Sequence, residues 1–210
     1  ALGTSRSGRR LTHVASDGTA IAFYHSGSNW QWRSASSPYS SWTSANAVTN
    51  ATRVSGLTAV MDASNHVHVV YRHSSGPNLC YRKLTFSASA WTLGSETVIA
   101  SGDYGGGGEY LTSARDVDGR MWLYGYRFNA GNAPEIWYSA PDDGTSWTNS
   151  LSPTGQAGAA SAVIARAGDY IVAIRMDTDN MYWRRVNTNG SVGSWSGEST
   201  KSSAGTWNDH

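Results

Sequence analysis

Asn65 to Lys83 reads NHVHVVYRHSSGPNLCYRK, and this stretch decides the fold. Val67, Val69 and Tyr71 alternate with His66, His68 and Val70, which is the two-residue period of a strand. Ser74-Ser75-Gly76-Pro77-Asn78 is turn chemistry, and Leu79 to Lys83 reads as the returning strand. The stretch is therefore a β-hairpin, with Arg72 and His73 at the mouth of its loop.

Working outward, the hairpin recurs three more times. Ala20–Tyr24 with Trp30–Arg33, Met121–Tyr126 with Ile136–Ser139, and Tyr170–Ile174 with Met181–Arg184 repeat the pattern. A short turn precedes each hairpin: Asp17-Gly18, Asp62 to Asn65, Asp118-Gly119 and Gly168-Asp169. Before each turn lies another short strand: Leu11–Ser16, Leu57–Met61, Tyr110–Arg115 and Ala162–Arg166. After each hairpin comes a Trp (42, 91, 147 and 195, at intervals of 49, 56 and 48 residues), expected to open a fourth strand. Four strands per unit at this period are β-propeller blades. The fold class is all-β, a β-propeller of four-stranded antiparallel blades in a single domain. Blades are expected at residues 9–50, 51–100, 109–151 and 157–201. Residues 204–210 read as the first strand of a further blade. The chain thus reads as part of a larger propeller, for example a seven-bladed one, completed by its own remainder or by another copy of the chain; the alternative is a four-bladed ring with His210 in a closing strand.

Composition fits this class. The 210 residues include 23 Gly, 10 Trp and 11 Tyr, with 15% charged residues, the profile of a loop-rich secreted or extracellular protein, including one on a cell or virion surface. No apolar run approaches the roughly 20 residues needed to span a bilayer, so no membrane insertion is expected. The net charge of +1 and the lack of basic runs set nucleic acid aside. Cys80 is the single cysteine, so no intrachain disulfide forms, and its strand position reads as a buried thiol. Four glycines, 105–108, lack the following helix and Lys-Ser/Thr pair of a phosphate cradle. His66 and His68 share a strand face without a third ligand and read as packed strand residues; no metal site is expected. Asn50-Ala51-Thr52 and Asn189-Gly190-Ser191 match glycosylation sequons.

In the third unit, Ala140-Pro141-Asp142-Asp143-Gly144-Thr145-Ser146-Trp147 resembles the Asp-box of sialidase-type propellers, with Ala140 in place of the opening Ser/Thr. With "VHVVYRH…LCYRK" and the terminal "WNDH", the chain is similar to the BNR/Asp-box repeat family, which holds sialidase-like propellers and relatives of ulvan-type polysaccharide lyases. The resemblance implies a structural role for Asp142 and Trp147 and admits a structural calcium ion; it implies no other cofactor. Fold does not fix function.

Blade topology places candidate residues. Loops between second and third strands share one face with the blade-to-blade connections, and the other turns share the opposite face. The first face gathers His25, Tyr71, Arg72, His73, Tyr126, Arg127 and Arg175, and the connections add Arg10, Arg53, Trp207 and His210, with Arg9, Tyr104 and Glu109 nearby. Guanidinium groups hold carboxylates in bidentate fashion. Aromatic faces stack on sugar rings. The set points to an acidic glycan or polysaccharide as partner, with Arg72, Arg175, Arg10, Arg53, Tyr71, Trp207 and His210 as binding residues. Abstraction of a uronate C5 proton needs charge neutralisation and a tuned acid and base. The resemblance to the lyases implies His73 and His25 as acid and base, Tyr126 as a second proton-transfer group, and Arg127 or Arg72 as neutraliser. Three readings stand: a polysaccharide lyase, with a sialidase-like hydrolase second; a lectin-like or virion receptor-binding glycan module; and a protein-binding scaffold. Trp32, Tyr81, Trp137, Tyr138, Tyr182 and Trp183 are expected in the inter-blade core.

Overall fold

The structure, a computed structural model, describes residues 11–26, 29–49, 54–73, 78–101, 111–127, 133–151, 161–176 and 180–202. Arg10, Arg53, Tyr104, Glu109, Trp207 and His210 lie outside the described residues, as do the four glycines and the segment expected to open a further blade.

The alternating stretches form four antiparallel sheets, each a meander of consecutive strands. Blade one contains β1 (Thr12–Val14), β2 (Ala20–His25), β3 (Trp30–Ala35) and β4 (Asn46–Ala47). Blade two contains β5 (Val54–Met61), β6 (Val67–His73), β7 (Leu79–Ser87), β8 (Ala90–Leu93) and β9 (Thr97–Ala100). Blade three contains β10 (Thr112–Arg115), β11 (Met121–Arg127), β12 (Ala133–Ser139) and β13 (Trp147–Leu151). Blade four contains β14 (Ser161–Ala167), β15 (Tyr170–Met176), β16 (Asn180–Asn187) and β17 (Ser199–Ser202). This is the β-propeller architecture. No helix among the described residues is long and apolar enough to cross a membrane.

The fourth strands differ from expectation. Trp147 opens β13 as expected, whereas β4 and β17 each begin four residues beyond Trp42 and Trp195. In blade two the outer strand is split: β8 pairs with the far half of β7, and β9 pairs with its beginning. Outer strands bury little, so hydrophobic pattern constrains their start weakly.

Adjacent sheets stack through apolar faces. Ile21, Phe23 and Trp32 of blade one meet Leu57, Val69 and Tyr71 of blade two. Val70, Leu79 and Tyr81 on the other face of blade two meet Leu111 and Leu123 of blade three, with Trp137 and Trp147 alongside. Trp122, Tyr124 and Ile136 of blade three meet Ile164, Ile171 and Val186 of blade four. Because strand side chains alternate, each inner blade feeds one parity to each neighbour. Inner strands touch through hydroxyls: Thr58 and Ser113 oxygens lie 2.8 Å apart, and the Ile164 amide donates to Thr112 Oγ1 at 3.0 Å.

In blades one to three the turns between first and second strands share a chemistry. Asp17 Oδ1 accepts the Thr19 amide, Asp62 Oδ1 accepts those of Ser64 and His66, and Asp116 Oδ1 accepts those of Asp118 and Arg120. Aspartate closes such turns with its own side chain. These turns meet the third-to-fourth turns: the Tyr39 hydroxyl donates to Gly18 O, and the Asp142 amide to Gly119 O. They also join neighbouring blades. Asn65 exchanges hydrogen bonds with Ser16, Ser89 Oγ donates to Asp17, and the Gly190 amide donates to Asp118 at 2.7 Å. One end of the sheets thereby carries a belt of turns, clasped between blades one and two and between blades three and four, and the second-to-third loops occupy the opposite end.

Candidate functional site: a cleft between blades three and four

Blade four turns one face toward blade three, carrying Ala173 and Arg175 from β15 and Tyr182 and Arg184 from β16. The register sets Ala173 opposite Arg184 and Arg175 opposite Tyr182. Glu198 stands just before β17. Across from them, Tyr124 and Ile136 of blade three complete a cleft of about 270 Å³, counting its open mouth.

One carboxylate sits here between two guanidinium groups. Arg175 donates to Glu198 through Nη2 at 3.0 Å and Nε at 3.3 Å, a bidentate pair. Arg184 Nε lies 3.4 Å from the same carboxylate. The Arg175 guanidinium carbon stacks 3.5 Å from the centroid of the Tyr182 ring, an arrangement that fixes the plane of the fork. Arg175 is only 8% exposed. Two positive charges against one negative leave a surplus of one in a half-buried cleft, where charge is screened less than on an open surface.

The register shows the same scaffold in blade two. Tyr71 opposite Cys80 and Val69 opposite Arg82 match Arg175 opposite Tyr182 and Ala173 opposite Arg184. Glu96 takes the place of Glu198: the Tyr71 hydroxyl donates to it and Arg82 Nε lies 3.9 Å away. Here the neighbours are bulkier. Trp32 of blade one stands at the strand position that Ile136 holds in blade three, and Val69 replaces Ala173. Burial, then the Glu96 contact, pushes the Tyr71 phenol well above its usual range. Burial pushes the Cys80 thiol up to about 12. In blade one, Arg33 Nε donates to the Tyr24 hydroxyl at 2.9 Å.

The residues expected at the loop face divide into three groups. His25 and His73 are the last residues of β2 and β6 but lie on opposite parities, His25 matching Arg72 in register; His25 is exposed, with Trp30 edge-on at 5.5 Å, and the His73 amide donates to Asn78 O. Arg72 is half-buried beside them. Tyr126 and Arg127 end β11 opposite Pro134 and Ala133, and their side chains lie outside the described residues. Tyr71 departs from expectation: it is buried between blades one and two, because its parity on β6 points it inward. Arg175 also turns inward and lines the cleft. The expected inter-blade aromatics include Trp32 and Tyr81, both buried. Tyr182 instead lines the cleft, as does Trp183.

Sequence reasoning missed Arg82, Glu96, Arg184 and Glu198. The signal was present: in both blades the Arg precedes the Glu by 14 residues, and an aromatic residue precedes the Arg. Among the described residues no group of three or more His, Cys, Asp or Glu gathers to hold a metal.

No protein-family model and no curated protein matches the chain. Solved structures do resemble it. A lectin from Burkholderia pseudomallei matches with TM-score 0.65 at 12% identity, over 89% of this chain and 53% of the lectin. A Hadza microbial sialidase, Hz136, matches with TM-score 0.58 at 11% identity, over 89% of this chain and 45% of its own. An ulvan lyase bound to -[GlcA(1-4)Rha3S]- matches with TM-score 0.52 at 11% identity, over 88% and 56%. The chain spans about half the length of these structures. At such identities the likeness is one of fold, and it places the chain among β-propellers that include lectins, a sialidase and a polysaccharide lyase.

Proposed function

We propose that the protein is a carbohydrate-binding β-propeller that engages an acidic glycan in the cleft between blades three and four. The observation that carries this is the single Glu198 carboxylate held between Arg175 and Arg184 beside the Tyr182 ring. Such a cluster offers donors and acceptors to sugar hydroxyls and an aromatic wall to a ring face. The surplus guanidinium charge on Arg184 is available for a carboxylate or sulfate substituent. The shallow cleft suits one sugar residue of a longer polymer. The turn from Ala140 to Trp147 supports kinship with Asp-box propellers: Asp142 adopts φ 51°, and the Trp147 indole donates to Gly144 O at 2.7 Å. A secreted or extracellular location follows from such a ligand.

Binding is measured on polygalacturonate and chondroitin sulfate, with dextran as the uncharged comparison. Arg184→Ala weakens binding to the charged polymers by about tenfold or more, the effect of losing one charge-assisted hydrogen bond. Equal affinity of Arg184→Ala and the parent chain for both would reject the cleft as the site.

A second reading is cleavage of a uronic-acid polymer by β-elimination. It is supported by His25 and His73 closing β2 and β6 at the end of the sheets where Tyr126 and Arg127 close β11. Incubation with uronic-acid polymers, followed by the ultraviolet absorbance of the unsaturated product, tests it. The expected rise disappears in His73→Ala; no rise with the parent chain removes this reading and leaves a binding module.

A further inference from the structure

The four Trp residues that mark the repeat do not share one fate. Trp91 is buried at 5% exposure and its indole donates to Asn65 O. Trp147 donates to Gly144 O and packs edge-on against Tyr81. Trp195 donates to Ser150 Oγ and packs against Trp122. Trp42 is 42% exposed, and among the described residues its indole makes no hydrogen bond. Tyr39, three residues earlier, is likewise exposed, at 39%.

Both belong to the third-to-fourth turn of blade one, which runs from Ser36 to Ala45, whereas blade two closes the same turn with Ala88 and Ser89. The longer excursion is held rigid. The Thr43 amide donates to Ser34 O at 2.8 Å, and Thr43 Oγ1 accepts the Ser34 amide at 3.0 Å. The Tyr39 hydroxyl is tied to Gly18 O at 2.9 Å. Tyr39 also sits at φ 63°, a region bulky residues seldom occupy, so surrounding bonds hold it in a costly conformation. From Ser36 to Ala45 there is no charged residue, and six of the ten carry hydroxyls as Ser or Thr. Rigid Trp and Tyr faces ringed by short hydroxyls lose little entropy on contact and offer both apolar area and hydrogen bonds.

We propose that this turn is a second carbohydrate site, one that stacks the apolar face of a neutral pyranose on Trp42 and Tyr39. It lies on the turn belt, at the opposite end of the sheets from the second-to-third loops. Its chemistry differs from that of the cleft: the turn itself carries no ionic group, and it is an open platform rather than a slot. The charge next to it is the Asp17 carboxylate beside Gly18, which repels an acidic substituent. A charged substituent gains nothing here, so the occupant is an uncharged polysaccharide. The proposal borrows only its ligand class from the glycan-binding reading and shares no residue with the cleft.

The test is depletion of the chain from solution by insoluble cellulose, chitin and granular starch. The parent chain and Arg184→Ala are retained alike on at least one of these, and Trp42→Ala binds it about tenfold more weakly. Trp42→Phe keeps most of the binding, because a ring face remains. Thermal melting of Trp42→Ala matches that of the parent, as an exposed side chain implies. Retention on none of the three polymers, or retention that Trp42→Ala leaves unchanged, overturns the proposal. Either result leaves the cleft reading standing, since that reading fails only on Arg184→Ala and the charged polymers.

Discussion

Asp62→Asn is expected to flatten the acid limb of the stability curve. Asp62 is buried where β5 turns into β6, its side chain only 5% exposed. Burial alone would raise its pKa. The hydrogen bond with His68 Nε2 at 3.1 Å, and that from the His66 amide, outweigh this and bring the carboxyl down from 3.8 to about 2. A carboxyl lowered on folding stabilises the native state above its unfolded pKa, and that stability is lost as pH falls through the folded value. The window is therefore pH 3.8 down to about 2. The shift corresponds to about 2 kcal/mol at most, and about 1–2 kcal/mol after allowance for screening. Asparagine keeps the Oδ1 acceptor for the Ser64 and His66 amides, so the turn survives. Its amide nitrogen faces His68, whose other nitrogen then donates to the Tyr81 hydroxyl. Urea unfolding followed by Trp fluorescence, at about pH 6 and about pH 2, gives the comparison. The stability gap between parent and variant shrinks by about 1–2 kcal/mol at the acid end, a midpoint shift of about 0.5 M. A gap that stays constant across the window would refute the pairing as the source of the shift.

Gly144→Ala places a methyl carbon 1.8 Å from Tyr81 Cζ, inside a buried interface, and is expected to lower stability by about 3 kcal/mol or more, read as a fall in melting temperature. Cys80, 1% exposed and with its thiol at about 12, is expected to resist a thiol-specific dye at neutral pH in the folded chain and to react on unfolding. Ile136→Trp introduces at the cleft the residue type that occupies the matching place between blades one and two; it is expected to abolish binding of charged glycans and, because Ile136 is buried in the core, to lower stability by about 1–3 kcal/mol, read as a fall in melting temperature. Unaltered binding by this variant would show that ligand enters elsewhere.

The repeat was legible because inner and middle strands bury both faces and so read as β-branched and aromatic runs bounded by turn residues: Val67, Val69 and Tyr71 on one side, His68 and Val70 on the other, all buried. The outer strands were not legible to the residue. β4 has two residues, both exposed, and no apolar pattern sets its start. The site was legible only in composition. Arg175 was visible as a strand-end arginine, but whether it faces loop or neighbour depends on a parity that only the register settles. The same parity takes Tyr71 away from the loop face. Glu198 lies in irregular chain before a short outer strand, where periodicity says nothing, and so the partner of both arginines was overlooked.

The belt of turns has a consequence for how the molecule comes apart. Asn65 grips Ser16, Asp17 grips Ser89, and Asp118 grips Gly190, so each of these turns is held by a blade other than its own. Such coupling runs only between nearest neighbours, as in a one-dimensional array. Opening one blade releases the clasp on the next and lowers the cost of opening that one too. Amide hydrogen exchange in the turns would then be correlated in two pairs, blade one with blade two and blade three with blade four.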